Sequence, residues 1–131
     1  MNTATIAECM NLSFANTPFP DVVKKLADAG VRSYSADLVR LEKTYYGEAE
    51  TSTSKAMPLT EGPHIAETFD AEGVVTALRA IQQNKIGYAA FLRGIMSAGC
   101  SRYSVFFGGR KAIYFGRDGD FYIENFPAAY Q

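Results

Sequence analysis

The pattern of apolar and polar positions repeats once along the chain, in two 29-residue segments that align without a gap. Residues 19–47 and 88–116 both start with apolar residues three or four positions apart, the spacing of one helix face. A glycine follows, as is typical of a helix C-terminus, and the period then changes to that of a β-strand. Six positions are identical: Ala29 and Ala98, Gly30 and Gly99, Tyr34 and Tyr103, Ser35 and Ser104, Tyr45 and Tyr114, and Gly47 and Gly116. The repeat therefore predicts a helix followed by strands in each segment.

Each segment is preceded by one more predicted helix, over about residues 5–14 in the first half and 70–84 in the second. Two β-rich runs within 103–115 flank a Gly-Gly-Arg sequence, which predicts a hairpin. A third strand is predicted over 121–125, after an Asp-Gly turn. Residues 33–46 contain no glycine, and their pattern fits either a hairpin or one long bent strand.

These elements predict an α+β fold made of two helix-helix-strand-strand halves that arose by internal duplication. The helices are expected to pack on one face of a mostly antiparallel sheet. The whole chain, 1–131, is predicted to be a single domain, with halves at about 3–47 and 70–125 and a connecting loop at 48–69. This loop fits either a linker between the halves or a segment that holds a short extra strand. Coincidental similarity between two αβ segments is the alternative.

Composition places the chain among globular proteins, because 47% of its 131 residues are hydrophobic and its net charge is only -1. No apolar run is long enough to cross a membrane, and the first ten residues do not resemble a signal peptide, so a cytoplasmic protein without membrane contact is expected. Cys9 and Cys100 are far apart and are predicted to be buried, reduced thiols. No metal-ligand spacing and no cofactor-binding motif is present, so neither a metal nor a cofactor is predicted.

Charge is distributed unevenly along the chain. Residues 73–117 contain seven basic and no acidic residues, whereas the acidic residues lie elsewhere. This basic stretch could bind a small anionic ligand or a nucleic acid. Contact between the basic and acidic segments, within one chain or across a dimer, is the favoured alternative. Nucleic-acid binding is not expected, since the sequence pI is 5.8 and no run of adjacent basic residues is longer than that of Arg110 and Lys111.

Candidate chemistry is concentrated around the polar segment that follows Gly47. His64, the single histidine, could act as a general acid-base, with Arg102 or Arg110 holding an anionic substrate. No nucleophile motif accompanies it. Tyrosines at the ends of predicted strands suit a partly hydrated cleft or an interface, although each ring alone could be a core residue. The predicted ligand-binding residues are Tyr45, Tyr46, His64, Arg102 and Tyr114.

The sequence also resembles a known family. The motifs are the series Glu8-Cys-Met-Asn-Leu-Ser-Phe14, Leu26-Ala-Asp-Ala-Gly-Val31, Tyr34, Asp37-Leu38 and Thr44-Tyr-Tyr-Gly47. Together they are similar to the YbcV-like family of short bacterial proteins, a domain of unknown function sometimes labelled phage envelope protein. The resemblance implies a small, prophage-associated protein and supplies no catalytic residues.

Three hypotheses of function follow. The first is a non-catalytic binding or protein-interaction module, with a homodimer, a protein partner or a small anionic ligand as its partner. The second is a small enzyme that uses His64. The third is nucleic-acid binding through residues 73–117.

Overall fold

The structure is a computed structural model that describes residues 1–59 and 64–127. Four helices and six strands are formed in these residues. The helices are α1 (Thr3–Phe14), α2 (Phe19–Asp28), α3 (Ala71–Gln82) and α4 (Tyr88–Ser97). The strands are β1 (Ser33–Asp37), β2 (Glu42–Tyr46), β3 (Ser52–Ala56), β4 (Cys100–Phe106), β5 (Lys111–Gly116) and β6 (Phe121–Asn125). Each half thus consists of two helices followed by three strands.

The apolar stripes of the sequence become the helix faces that pack on the sheet. Val22 and Leu26 of α2 and Leu92 and Ile95 of α4 are buried in one core. Alternate residues of β1, β2, β4 and β5 join the same core, while their neighbours lie on the more exposed outer face. The fold is therefore the α+β arrangement that the periodicity predicts.

All six strands form one antiparallel sheet in the order β3-β2-β1-β4-β5-β6. The halves meet where β1 pairs with β4, and Ser35 lies opposite Ser104 at the centre of this pairing. The two hydroxyl oxygens are 2.8 Å apart, and the residues are 69 positions apart in sequence. The same 69-residue offset relates Tyr34 to Tyr103. Exchanging the two halves leaves the register of β1 against β4 unchanged. The sheet therefore has an approximate twofold axis at the serine pair.

The structure resolves the open alternative for residues 33–46, which form the β1–β2 hairpin. Leu41 in its turn has a φ of 53°, and Arg110 in the β4–β5 turn has a φ of 58°. Both turns therefore use a left-handed residue at equivalent positions.

The predicted connecting loop over 48–69 contains a short extra strand, which was one of the two alternatives for it. This strand is β3, which pairs with β2 at one edge of the sheet. Strand β3 is the counterpart of β6 at the other edge, and the polar sequence Ser-Thr-Ser-Lys-Ala gives it no apolar face. Among the described residues, no helix combines the length and the apolar character that crossing a membrane demands.

Candidate functional site

A cavity of about 570 Å³ lies between the buried face of the sheet and the helices. Its lining includes the α1–α2 connection and the α3–α4 connection, which the twofold axis relates to one another. These connections are largely exposed, which places the opening of the cavity between them. The backbone N–H of Tyr88 donates a hydrogen bond of 3.0 Å to Oδ1 of Asn16 and so joins the two connections.

Four buried tyrosines in two equivalent pairs form the floor of the cavity. Tyr34 and Tyr45 lie opposite each other on β1 and β2, with ring centroids 5.6 Å apart. Tyr103 and Tyr114 do the same on β4 and β5, with centroids 5.1 Å apart and nearly parallel rings. Tyr34 and Tyr103 meet edge to face across the axis, at 6.2 Å. All four rings line the cavity, so the repeat places four large aromatic surfaces around one space.

A fifth ring, Tyr88 at the start of α4, covers this floor. Its hydroxyl is hydrogen-bonded to the hydroxyl of Tyr103. Burial raises the pKa of both tyrosines well above the ordinary value. Both hydroxyls are therefore neutral at physiological pH and can donate or accept hydrogen bonds.

Lys43 on β2 places its amine next to two of these tyrosine rings. It is 3% exposed and lines the cavity. Its Nζ lies 5.0 Å from the ring centroid of Tyr34 and 4.5 Å from that of Tyr88. No described residue gives this amine a hydrogen bond or an ion pair. Burial lowers the pKa of Lys43 to about 7, a shift that the nearby Cys9 thiol partly opposes.

Lys43 breaks the approximate symmetry. The equivalent position in the second half is Ala112, which is also buried and also lines the cavity. The cross-strand neighbour of Lys43 is Lys55, whereas the neighbour of Ala112 is Glu124. One side of the cavity is therefore lined by Lys43, with Lys55 beside it on the sheet but outside the cavity, and the other side is lined by the carboxylate of Glu124.

The carboxylate of Glu124 is already bound by three side chains. Arg79 donates to it at 2.5 Å, Tyr122 at 2.7 Å and Gln82 at 3.0 Å. Burial acts to raise the pKa of Glu124, but these hydrogen bonds outweigh it and the pKa is lowered. Glu124 is thus an ionised group satisfied within the fold, and it ties β6 to α3.

The residues predicted to bind a ligand fall into two groups. Tyr45 and Tyr114 line the same cavity. Tyr46 is on the outer face of the sheet and 43% exposed, and Arg102 lies there with its guanidinium 4.8 Å from the ring centroid of Phe115. His64 is exposed in the segment before α3 and has no hydrogen-bond or ion-pair partner among the described residues.

The basic stretch is partly used inside the molecule. Arg79 is ion-paired with Glu124, and Arg117 donates to the backbone oxygen of Ile65 at 3.1 Å. Arg110 is exposed in the β4–β5 turn and does not line the cavity. Glu61, which the sequence places close to His64, lies outside the described residues.

Both cysteines are buried and free, as the sequence predicts. Burial raises the pKa of the Cys9 thiol, and it raises that of Cys100 to about 12. Both are therefore thiols, not thiolates, at neutral pH. Cys9 lines the cavity, and among the described residues no group of three or more metal-ligating side chains comes together.

The sequence analysis missed Lys43, because a lysine in a short polar strand is usually solvated. One signal could have identified it. Lys43 is two residues before Tyr45, so strand alternation puts both on one face, and the repeat assigns the buried face to Tyr45.

Comparison with known proteins gives a family and no activity. Residues 8–125 match the family described as "Protein of unknown function (DUF1398)". An uncharacterized protein of Mycobacterium bovis is 31% identical over 110 residues, which cover 84% of this chain and 67% of that protein. Two uncharacterized proteins of Mycobacterium tuberculosis match with the same identity and coverage.

Proposed function

Because the chain belongs to the DUF1398 family, to which no activity is ascribed, we propose from the cavity that it binds a small aromatic carboxylate. The observation that carries this proposal is a buried lysine amine with no carboxylate partner, in a cavity walled by tyrosine rings. Burying a charge without a partner is costly, so Lys43 favours a ligand that supplies the negative charge.

The volume of the cavity, its tyrosine rings and its hydroxyl groups suit the aromatic ring and the polar substituents of such a ligand. A volume of about 570 Å³ accommodates a small organic molecule. The rings of Tyr34, Tyr45, Tyr103 and Tyr114 offer faces and edges against which an aromatic body can stack. Their hydroxyls and that of Tyr88 can bind polar substituents. Tyr45 and Tyr114 thus keep the ligand-binding role that the sequence predicts for them, as part of this proposal.

Calorimetric titration with two matched ligands, 4-hydroxybenzoate and 4-hydroxybenzamide, tests the proposal. The carboxylate should bind about tenfold more tightly, since a charge-assisted contact with Lys43 adds on the order of 1.4 kcal/mol. The preference should increase below pH 7, where more of Lys43 carries a proton.

The variant Lys43→Met should lose this preference. Lys55→Met is the matched control, because Lys55 is the cross-strand neighbour and does not line the cavity. Equal binding of the acid and the amide by the unmodified protein, or loss of the preference in both variants, would contradict the proposal.

We also propose a homodimer formed through the β6 edge. Strands β3 and β6 are equivalent edges, but β3 presents Ser52 and Ser54 on the outer face where β6 presents Phe121 and Ile123, which are 60% and 42% exposed. Two copies can pair antiparallel at β6 and bury these side chains.

Light scattering tests the homodimer. The double variant Phe121→Ser, Ile123→Ser gives β6 the residues of β3 and should be monomeric. Val39→Ser, which removes a 66% exposed apolar residue elsewhere, should remain dimeric. A monomer for the unmodified protein over a wide concentration range would refute the dimer.

We also propose that the protein is YbcV-like, associated with prophages and cytoplasmic. The motifs from Glu8 to Gly47 support a YbcV-like, prophage-associated protein, and the composition supports a cytoplasmic location.

A further inference from the structure

We propose that Lys43 forms a reversible imine with a small aldehyde or ketone that enters the cavity. This inference rests on the proposed function in one respect, namely that organic ligands reach the space between the helices and the sheet. It adds a chemical step that simple binding of an anion does not need.

The surroundings of the amine meet the first requirement for imine formation. Lys43 is only 3% exposed, and it still borders the cavity. The titratable groups that face it are the Cys9 thiol on α1, Tyr34 on β1, Tyr88 on α4 and Lys55 on β3. None of them is a carboxylate, so no ion pair stabilises the protonated form of the amine, and the lone pair of the free amine remains available.

The second requirement is a free amine at neutral pH. With a pKa of about 7, roughly half of Lys43 is unprotonated at pH 7. An ordinary solvated lysine with a pKa near 10.4 is unprotonated about a thousandfold less often. Desolvation of this kind is a known way to activate lysine as a nucleophile.

The step balances without an oxidant or a reductant. The Nζ lone pair attacks the carbonyl carbon, a C–N bond forms as the C=O π bond breaks, and one proton passes from the nitrogen to the oxygen to give a carbinolamine. The carbinolamine hydroxyl then takes up a second proton and leaves as water while the nitrogen lone pair forms the C=N double bond, and loss of the remaining N–H proton gives the neutral imine. Addition of water reverses the sequence.

The cavity holds groups that can assist this proton transfer. Tyr88 and Tyr103 are linked through their hydroxyls, and burial keeps both protonated at neutral pH. Cys9 also borders the cavity, but burial raises the pKa of its thiol, so it competes poorly for a carbonyl carbon.

Reductive trapping tests the inference on the unmodified protein. The protein is incubated at pH 7 with a limiting amount of 4-hydroxybenzaldehyde and sodium cyanoborohydride, which reduces an imine to a stable secondary amine. Peptide mapping by mass spectrometry should find Lys43 modified at least about tenfold more than any exposed lysine. Two exposed lysines that do not line the cavity, Lys24 and Lys25, serve as the internal control in the same molecule. Modification of Lys43 at or below their level would overturn the inference.

Variants and a competitor separate this inference from the proposed function. Lys43→Arg keeps a cation but cannot form an imine, so preferential labelling should disappear; Lys55→Met should retain it. Saturating 4-hydroxybenzoate should suppress labelling of Lys43 in the unmodified protein. If the carboxylate binds but Lys43 is not labelled preferentially, the imine is refuted and the binding function stands. If neither ligand enters, both are refuted.

Discussion

Gly30 and Gly99 are the same residue in the two halves, yet their surroundings differ. Each follows a helix and has a positive φ, 93° and 87° respectively. A Cβ on Gly30 would lie 3.5 Å from the nearest atom, an ordinary contact. A Cβ on Gly99 would lie 2.3 Å from the backbone oxygen of Thr68, which side-chain rotation cannot relieve.

The two alanine substitutions should therefore differ in cost. Gly30→Ala should lower the free energy of unfolding by about 1–2 kcal/mol, the cost of a left-handed backbone. Gly99→Ala adds a clash with backbone and should cost about 4 kcal/mol or more. Urea denaturation of both variants measures the difference, and equal costs would show that the segment around Thr68 yields easily.

Residue-level prediction was limited by context. Gly30 and Gly99 were placed correctly at helix ends and the cysteines in the interior, because their residue type matches their surroundings. Tyr45 and Tyr114 are buried, and their predicted ligand-binding role stays a prediction. Lys43 is buried although lysines are usually solvated: the rings of Tyr34 and Tyr88 lie close to its amine, and these two rings come from different halves. No local pattern carries that information.

At the scale of elements, apolar periodicity predicted the four helices and the hairpin of the second half, because each buries one regular face. Strand β3 was left as an alternative without a position, because it is held by pairing with β2 and has no apolar alternation. Side chains also link the two strands, since the hydroxyl oxygens of Thr44 on β2 and Ser54 on β3 are 2.9 Å apart. Extending the repeat by the 69-residue offset from β6 would have found it.

The pairing of β1 with β4 joins the halves, and the Ser35–Ser104 hydroxyl contact lies at its centre. We expect the two serines to be coupled energetically by about 1 kcal/mol, the net value of one hydrogen bond. A double-mutant cycle with Ser35→Ala and Ser104→Ala measures this coupling. The same cycle on Thr44 and Ser54, which are exposed at the β2–β3 pairing, should give a smaller value. A coupling near zero at the serines would mean that backbone pairing alone joins the halves.

For the whole molecule, the buried lysine makes stability depend on pH. Lys43 has a folded-state pKa of about 7 against about 10.4 when unfolded, so the unfolded chain binds more protons between these values. Stability therefore rises with pH in this window and is lowest at and below pH 7.

Chemical denaturation at pH 7 and pH 8.5 should show a gain of about 1.5 kcal/mol for the unmodified protein. The range stops at pH 8.5 because the pKa values of both cysteines and of Tyr34 and Tyr45 are raised by burial, which lowers stability at higher pH. Lys43→Met should be more stable at pH 7 and should lose the gain, whereas Lys55→Met should keep it. An unchanged slope in Lys43→Met would assign the effect to another group.

Both halves have the same order of elements, two helices and then three strands, as the sequence repeat leads us to expect. This shared order supports the proposal that the domain arose by duplication. What the repeat alone could not predict is where the halves diverge. Positions 43 and 112 differ within an otherwise matched set of rings, and that difference lies in the cavity.

An approximate twofold axis through a cavity has a consequence for how a guest molecule orients. If both halves were chemically identical, an elongated guest could lie in either of two directions with equal free energy. Because an amine is present at position 43 and a methyl group at position 112, the two directions are inequivalent. We expect the anionic end of a guest to point toward Lys43 on β2, so that the proposed binding would favour one of the two directions.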